Sequence, residues 1–158
     1  MIRPVRDTQG KQAHHKVTEC IFCRIGKKEV EAETIYEDED NMAILDIYPR
    51  APGHTMVIPK VHRETILDAE EREIKSLFAA VKKATTIISK ALKPEGFTIG
   101  INHGKHSGQE IDHLHIHIIP RYLNDNGKPI QSVVDYKLSG GTVKETAAKI
   151  RKQDIINE

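Results

Sequence analysis

Three histidines alternate with aliphatic residues in the stretch His113-Leu114-His115-Ile116-His117-Ile118-Ile119-Pro120-Arg121. Alternation is the period of a strand. Read so, His113, His115 and His117 share one face, and Leu114, Ile116 and Ile118 share the other. The aliphatic face suits a core. A row of imidazoles is costly to bury without partners, so the histidine face is expected to line a site. Alternate residues on a strand lie roughly 7 Å apart. That spacing favours neighbouring roles on one bound substrate over three ligands crowded on one metal. A solvated histidine-rich face and an incidental metal-binding tract are the alternatives. Asn102-His103-Gly104 and Ser107-Gly108-Gln109 form a small polar loop just upstream. Such loops present backbone N–H groups to anions.

A second constellation is Cys20-Ile21-Phe22-Cys23. Two cysteines at this spacing can chelate one zinc through a tight turn, form a redox pair in a thioredoxin-like setting, or remain as two reduced, partly buried thiols. The βαβ pattern that the redox reading needs is not evident. A zinc site would need two more ligands, and histidines are the obvious donors. His14-His15 reads as a solvated pair on a polar segment, and His62 as an ordinary exposed histidine. Asp46, at the end of a strand, can face a ligand or simply close the turn at Tyr48-Pro49.

The elements that must position these residues are legible in outline. Residues 1–18 are polar and aperiodic and read as a flexible arm. Thr34–Glu37 and Asn41–Ile47 read as a hairpin about the acidic turn Asp38-Glu39-Asp40. His54–Ile58 reads as a strand stopped by Pro59, after the punctuated loop Pro49–Gly53. Asp68–Leu92 is a helix, with Ile74, Leu77, Phe78, Val81, Ile88 and Leu92 as its core stripe. Asp68 with Glu71 makes a variant capping box, and Pro94 and Gly96 end the helix. Phe97–Asn102 is a further strand. The histidine strand follows, with Pro120 marking its end. Asn124–Lys128 is a turn cluster, and Thr142–Ile156 is weakly helical, with Val143, Ala147, Ile150 and Ile155 on one side.

At 158 residues the chain suits one domain with a real core. A net charge of +1 with 30% charged residues argues against a broad basic surface for nucleic acid. No apolar run approaches membrane-spanning length, and the start carries no apolar h-region. A cytoplasmic protein is the expectation. Two cysteines make no disulfide scaffold.

The triad stretch resembles the motif of the histidine triad (HIT) family. Cys20–Cys23, Ala43-Ile44-Leu45-Asp46-Ile47, Pro52-Gly53-His54-Thr55-Met56-Val57-Ile58-Pro59-Lys60 and Gly108-Gln109 resemble the same family, in its bacterial and archaeal form with a C-x-x-C zinc site. The resemblance runs over residues 19–122. It implies an α+β fold, an antiparallel β-sheet packed by one long helix, with two sheets joined in a homodimer. Residues 19–158 are expected to form one domain of this kind, with a C-terminal extension from about residue 123 beyond the stretch of resemblance.

The function implied is hydrolysis at the α-phosphate of a purine nucleotide or nucleotidyl conjugate. His115 is the implied nucleophile, forming a covalent nucleotidyl-histidine that water resolves. His117 can hydrogen-bond a phosphate oxygen or assist the leaving group. Asn102, Gly108 and Gln109 can cradle the non-bridging oxygens. The resemblance places Asp46 on the ribose hydroxyls and Ile44 near the base, with His54 supporting the triad. It makes Cys20, Cys23, His62 and His113 the ligands of a structural zinc, with no organic cofactor and no metal in the chemical steps. Phosphoramidase-type members carry a serine after the Gly-Gln pair, where this chain has Glu110. An ionised glutamate accepts hydrogen bonds and cannot donate them. Nucleoside phosphoramidates, dinucleoside polyphosphates and nucleotidyl transfer therefore all stay open, as does a zinc-stabilised nucleotide-binding module with little catalysis.

Overall fold

The computed structural model describes residues 20–134 and 142–153. The arm expected over residues 1–18 and Ile155 of the tail lie outside them. The chain divides into two compact units, residues 1–127 and 128–158.

The first unit is a five-stranded antiparallel sheet crossed by one long helix. Its elements are α1 (Ile21–Gly26), β1 (Thr34–Glu37), β2 (Asn41–Leu45), β3 (Thr55–Pro59), α2 (Glu71–Leu92), β4 (Gly96–Gly100) and β5 (Ile116–Arg121). The strand order is β1-β2-β3-β5-β4, with every pair antiparallel. The strand carrying the last of the three histidines is therefore interior, between β3 and the edge strand β4.

Alternation sorts the strands onto two faces. Ala43, Val57, Ile116 and Ile118 join Leu77, Ala80, Val81, Ala84 and Ile88 of α2 in the main core. Met42, Ile44 and Ile58 turn to the opposite face, against Phe22 and Ile25 of α1. The sheet is thus buried on both sides, and the α1 side carries the site.

Helix α2 starts two residues later than the expected cap. Glu70 is the N-cap, and its capping box closes with Glu73. Asp68 instead accepts from the backbone N–H groups of Glu64 and Thr65, at 2.9 and 2.7 Å, and so ends the preceding turn. The core stripe differs as well. Phe78 and Leu92 are 46% and 45% exposed, while Ala80 and Ala84 are fully buried. Small residues at the contact let the helix lie close to the sheet.

The histidine strand begins later than alternation suggests. The N–H of His113 donates to Ile111 O at 2.8 Å, and that of Leu114 donates to Arg63 O at 2.5 Å. Only from Ile116 does the chain join the sheet. Pro120 lies inside β5, buried opposite Phe97. It tolerates that place because β3 pairs only with residues Ile116, His117 and Ile118.

The second unit holds a 3-10 turn over Ile130–Val133 and α3 (Val143–Arg151), capped reciprocally by Thr142 and Glu145. Among the described residues no helix is long and apolar enough to cross a membrane.

Candidate functional site

The three histidines enter three different environments. His113 is fully buried in a cluster with Cys20, Cys23 and His62. Cys20 is the N-cap of α1 and Cys23 lies in its first turn, so one short helix, rather than a bare tight turn, brings both thiols to one side. His62 is carried to them by the Arg63–Leu114 backbone bond. The Arg63 guanidinium anchors that segment to α2 through two 2.8 Å bonds to Glu73.

The separations match a four-ligand ion site. Nδ1 of His113 lies 3.3 Å from Cys20 Sγ, 3.6 Å from Cys23 Sγ and 3.2 Å from His62 Nδ1. Cys23 Sγ lies 3.3 Å from His62 Nδ1. A tetrahedral zinc at its usual bond lengths separates its ligand atoms by roughly 3.3–3.8 Å. The orientation agrees too. Nε2 of His113 lies 2.9 Å from Pro59 O. A carbonyl can only accept, so Nε2 carries the proton and Nδ1 offers its lone pair to the cluster. Burial pushes the Cys23 thiol up to about 11 and His113 down to about 4. The uncharged forms that burial favours are those a bound cation would counter on the sulfur side.

His115 is 6% exposed and lines a cleft of about 740 Å³ on the α1 side of the sheet. Its Nδ1 donates to His113 O at 2.7 Å, which leaves the Nε2 lone pair for the cleft. Phe22 packs edge-on against both His113 and His115, at centroid distances of 5.7 and 5.4 Å. The rings of His115 and His117 meet edge-on at 4.9 Å. That is closer than the spacing expected of alternate strand residues, because the chain at His115 has not yet entered the ladder and the two rings turn toward each other.

His117 belongs to a chain of hydrogen bonds. The backbone N–H of Arg50 donates to His54 Nδ1 at 3.2 Å, so the His54 proton sits on Nε2. That Nε2–H donates to His117 Nδ1 at 3.0 Å, which leaves the His117 proton on Nε2. Asp46 Oδ2 stands 3.6 Å from His54 Nδ1 and competes for the same nitrogen. The shorter Arg50 contact decides the tautomer. Burial holds His54 below the ordinary imidazole range and His117 down at about 4, so both are neutral near pH 7. Asp46, His54 and His117 also lie within reach of one ion. However, His54 uses its two nitrogens toward different partners, a relay rather than a convergent set. Adjacent imidazoles thus carry complementary tautomers: His115 offers a lone pair at Nε2, and His117 offers a proton there.

Ile44, Asp46, His54, Asn102 and Gly108 line the same cleft. Asp46 also accepts from the Tyr48 N–H at 2.8 Å, so it closes the turn while facing the site. Gly108 sits at φ +91°, and Asn102 Nδ2 lies 3.8 Å from where a Cβ on Gly108 would project. Gln109 does not line the cleft. Its amide accepts from Gly104 N at 2.7 Å and donates to Glu64 O and Ile111 O at 2.7 and 3.1 Å. It shapes the loop from beneath. Sequence reasoning missed Phe22 and Arg63, whose roles arise only in tertiary contact. It also missed Arg50, which acts on His54 through its backbone.

Comparison with known proteins gives a consistent result. A family model described as HIT domain matches residues 27–124. A HIT-like protein of Methanocaldococcus jannaschii is 44% identical over 67% of this chain and 81% of its own length. The adenosine 5'-monophosphoramidase HNT1 of Saccharomyces cerevisiae is 33% identical over 85% of both chains. The solved structure of a zinc-bound histidine triad family protein from Mycobacterium smegmatis superposes with a TM-score of 0.66 at 35% identity, covering 69% of this chain and 79% of that one.

Proposed function

The chain belongs to the HIT domain family, and on that premise we propose that it is a nucleotide hydrolase acting at the α-phosphate of nucleoside phosphoramidates. The observation that carries this reading is the tautomer pair, His115 Nε2 as acceptor beside His117 Nε2–H as donor in one cleft. The phosphoramidase activity named for the yeast relative supports the substrate class.

In this reading His115 Nε2 attacks phosphorus, and the P–N bond breaks with its electron pair leaving on nitrogen. The departing nitrogen accepts a hydrogen bond from His117 Nε2–H and takes its proton from a water. The hydroxide so formed makes the new P–O bond, and the His115–phosphorus bond returns its pair to Nε2. The nucleoside monophosphate and the free amine leave. The His113 carbonyl stabilises the positive charge that His115 gains on attack. Backbone N–H groups at the Gly108 turn and the Asn102 amide are suited to the non-bridging oxygens. Asp46 is suited to the ribose hydroxyls, and Ile44 with Phe22 to a purine face.

Cys20, Cys23, His62 and His113 are the residues that would hold zinc. A bound ion would stabilise both thiolates and clamp α1 to the segment leading into β5. Protein purified without chelator is expected to carry about one zinc per chain. Its absence, with no loss of stability on chelation, would defeat this part of the reading. A homodimer is proposed as well. β4 is an open sheet edge carrying Ile99, and Phe78 and Leu92 leave α2 half exposed. Sedimentation should give twice the chain mass, and a monomer at micromolar concentration would exclude it.

The deciding experiment measures AMP release from adenosine phosphoramidate and from a diadenosine polyphosphate, in wild type and His115→Ala. Release from the first that disappears in the variant is the expected result. Release from the second alone moves the chain to polyphosphate hydrolysis. Activity retained in His115→Ala overturns the nucleophile assignment.

A further inference from the structure

The cleft that holds His115 is electrically unusual for a site that takes a nucleotide. Glu31, Glu33, Asp46 and Glu110 line it, and Arg50 is the only lysine or arginine among the described lining residues. His54 and His117 add no positive charge near pH 7, because burial keeps them neutral. The α-phosphate itself brings a negative charge into this lining. Each further phosphate in the leaving group would add another against unneutralised carboxylates.

The acidic lining surrounds a reactive group. His115 is more than nine-tenths buried, and its Nε2 has no hydrogen-bond partner among the described residues and opens on the cleft. Glu110 lines the same cleft as His115. It follows Gln109, whose side chain is tied to three backbone groups, and it stands five residues before His115. The nearby hydroxyl is not available in its place. Ser107 turns its side chain to His103 O and Gly104 O, at 2.7 and 2.9 Å, and does not line the cleft. The loop therefore presents a carboxylate side chain to the cleft rather than a hydroxyl donor.

We propose that Glu110 selects the leaving group by charge, favouring amines that carry a second, cationic end (a primary ammonium or guanidinium several bonds from the P–N nitrogen) and disfavouring anionic ones. The inference rests on the reading of His115 as nucleophile and deepens it by naming the leaving-group chemistry. The carboxylate is a specificity residue. It donates and removes no proton in the reaction, and the bonds made and broken are those already given.

The test uses AMP joined through a P–N bond to three amines of similar length: 1,5-diaminopentane, pentylamine and 5-aminopentanoate. Values of kcat/KM for AMP release are measured in wild type, Glu110→Gln and Glu110→Lys, at low salt and in 1 M NaCl. The expected order in wild type is cationic, neutral, anionic, with roughly tenfold between the extremes at low salt. The spread shrinks in 1 M salt, where screening acts over about 3 Å. It collapses in Glu110→Gln and inverts in Glu110→Lys. Equal turnover of all three in wild type overturns the proposal, and so does a preference that survives unchanged in Glu110→Gln. Calorimetric Kd values for the same conjugates on His115→Ala read the charge preference without turnover. A chain that binds in the expected order and hydrolyses none of them retains the charge selection and loses the hydrolase reading. A chain that hydrolyses all three without discrimination does the reverse.

Discussion

Phe22 stands between the two cysteines in sequence and between His113 and His115 in space. Its ring is 3% exposed and packs edge-on against His115, whose other ring contact is His117. Phe22→Leu keeps most of the apolar volume, and its cost in stability should be about 1 kcal/mol. The orientation of His115 suffers more. We expect kcat to fall about tenfold, since small misplacements of a reacting group are amplified in rate. Separate kcat and KM values beside a urea titration would check this, and an unchanged kcat would make the contact passive. His117 supplies a pH signature. Its folded value near 4 lies below the ordinary 6.5, so the unfolded chain binds more protons between those limits. Stability is then full above pH 6.5 and drops as the pH falls toward 4. In His117→Asn the urea midpoint should fall less steeply over that window, and an equally steep fall would assign the acid sensitivity elsewhere. The histidines were legible because imidazole carries its chemistry with it and alternation announces a face. Phe22 was not, because an aromatic residue beside a cysteine is equally consistent with plain core.

At the level of elements, the five strands and the long helix are readable from periodicity and from proline and glycine punctuation, while their edges are not. The helix start depends on which of several acidic residues caps it, and only the fold decides between Asp68 and Glu70. The segment before β5 is the instructive case. Its alternation is that of a strand, yet its first residues bond to Ile111 and Arg63 and not to the sheet. Competition from those partners was not visible in local sequence. The close approach of the Pro49–Gly53 loop to α2 is another tertiary fact. Gly53 has φ +84°, and a Cβ there would lie 2.5 Å from Leu92 Cδ1 and 3.3 Å from Pro120 Cγ. This also accounts for Leu92, half exposed but with its tip over the glycine. Leu92 can rotate away, whereas the backbone strain stays. Gly53→Ala should therefore cost about 1–2 kcal/mol, read as a lower urea midpoint at unchanged slope. A neutral result would mean that the loop relaxes to negative φ.

For the molecule as a whole, antiparallel sheet, single long helix and two-faced burial agree with the α+β expectation. Pairing of Cys20 and Cys23 with particular histidines was not derivable from spacing, because His62 and His113 meet only after β3 and β5 are in place. Cys20 and His113 are 93 residues apart in the chain yet 3.3 Å apart in the structure. That separation bears on the order of assembly. Closing a loop so long is entropically slow compared with forming α2 or the β1–β2 hairpin. During synthesis, the cysteines emerge long before their second histidine and must wait, as thiols, for most of the domain to follow. A four-ligand site therefore cannot exist on a half-made chain. On the proposed reading, metal capture would be a late event that reports completion, and His115, two residues beyond His113, would acquire its surroundings at that same moment.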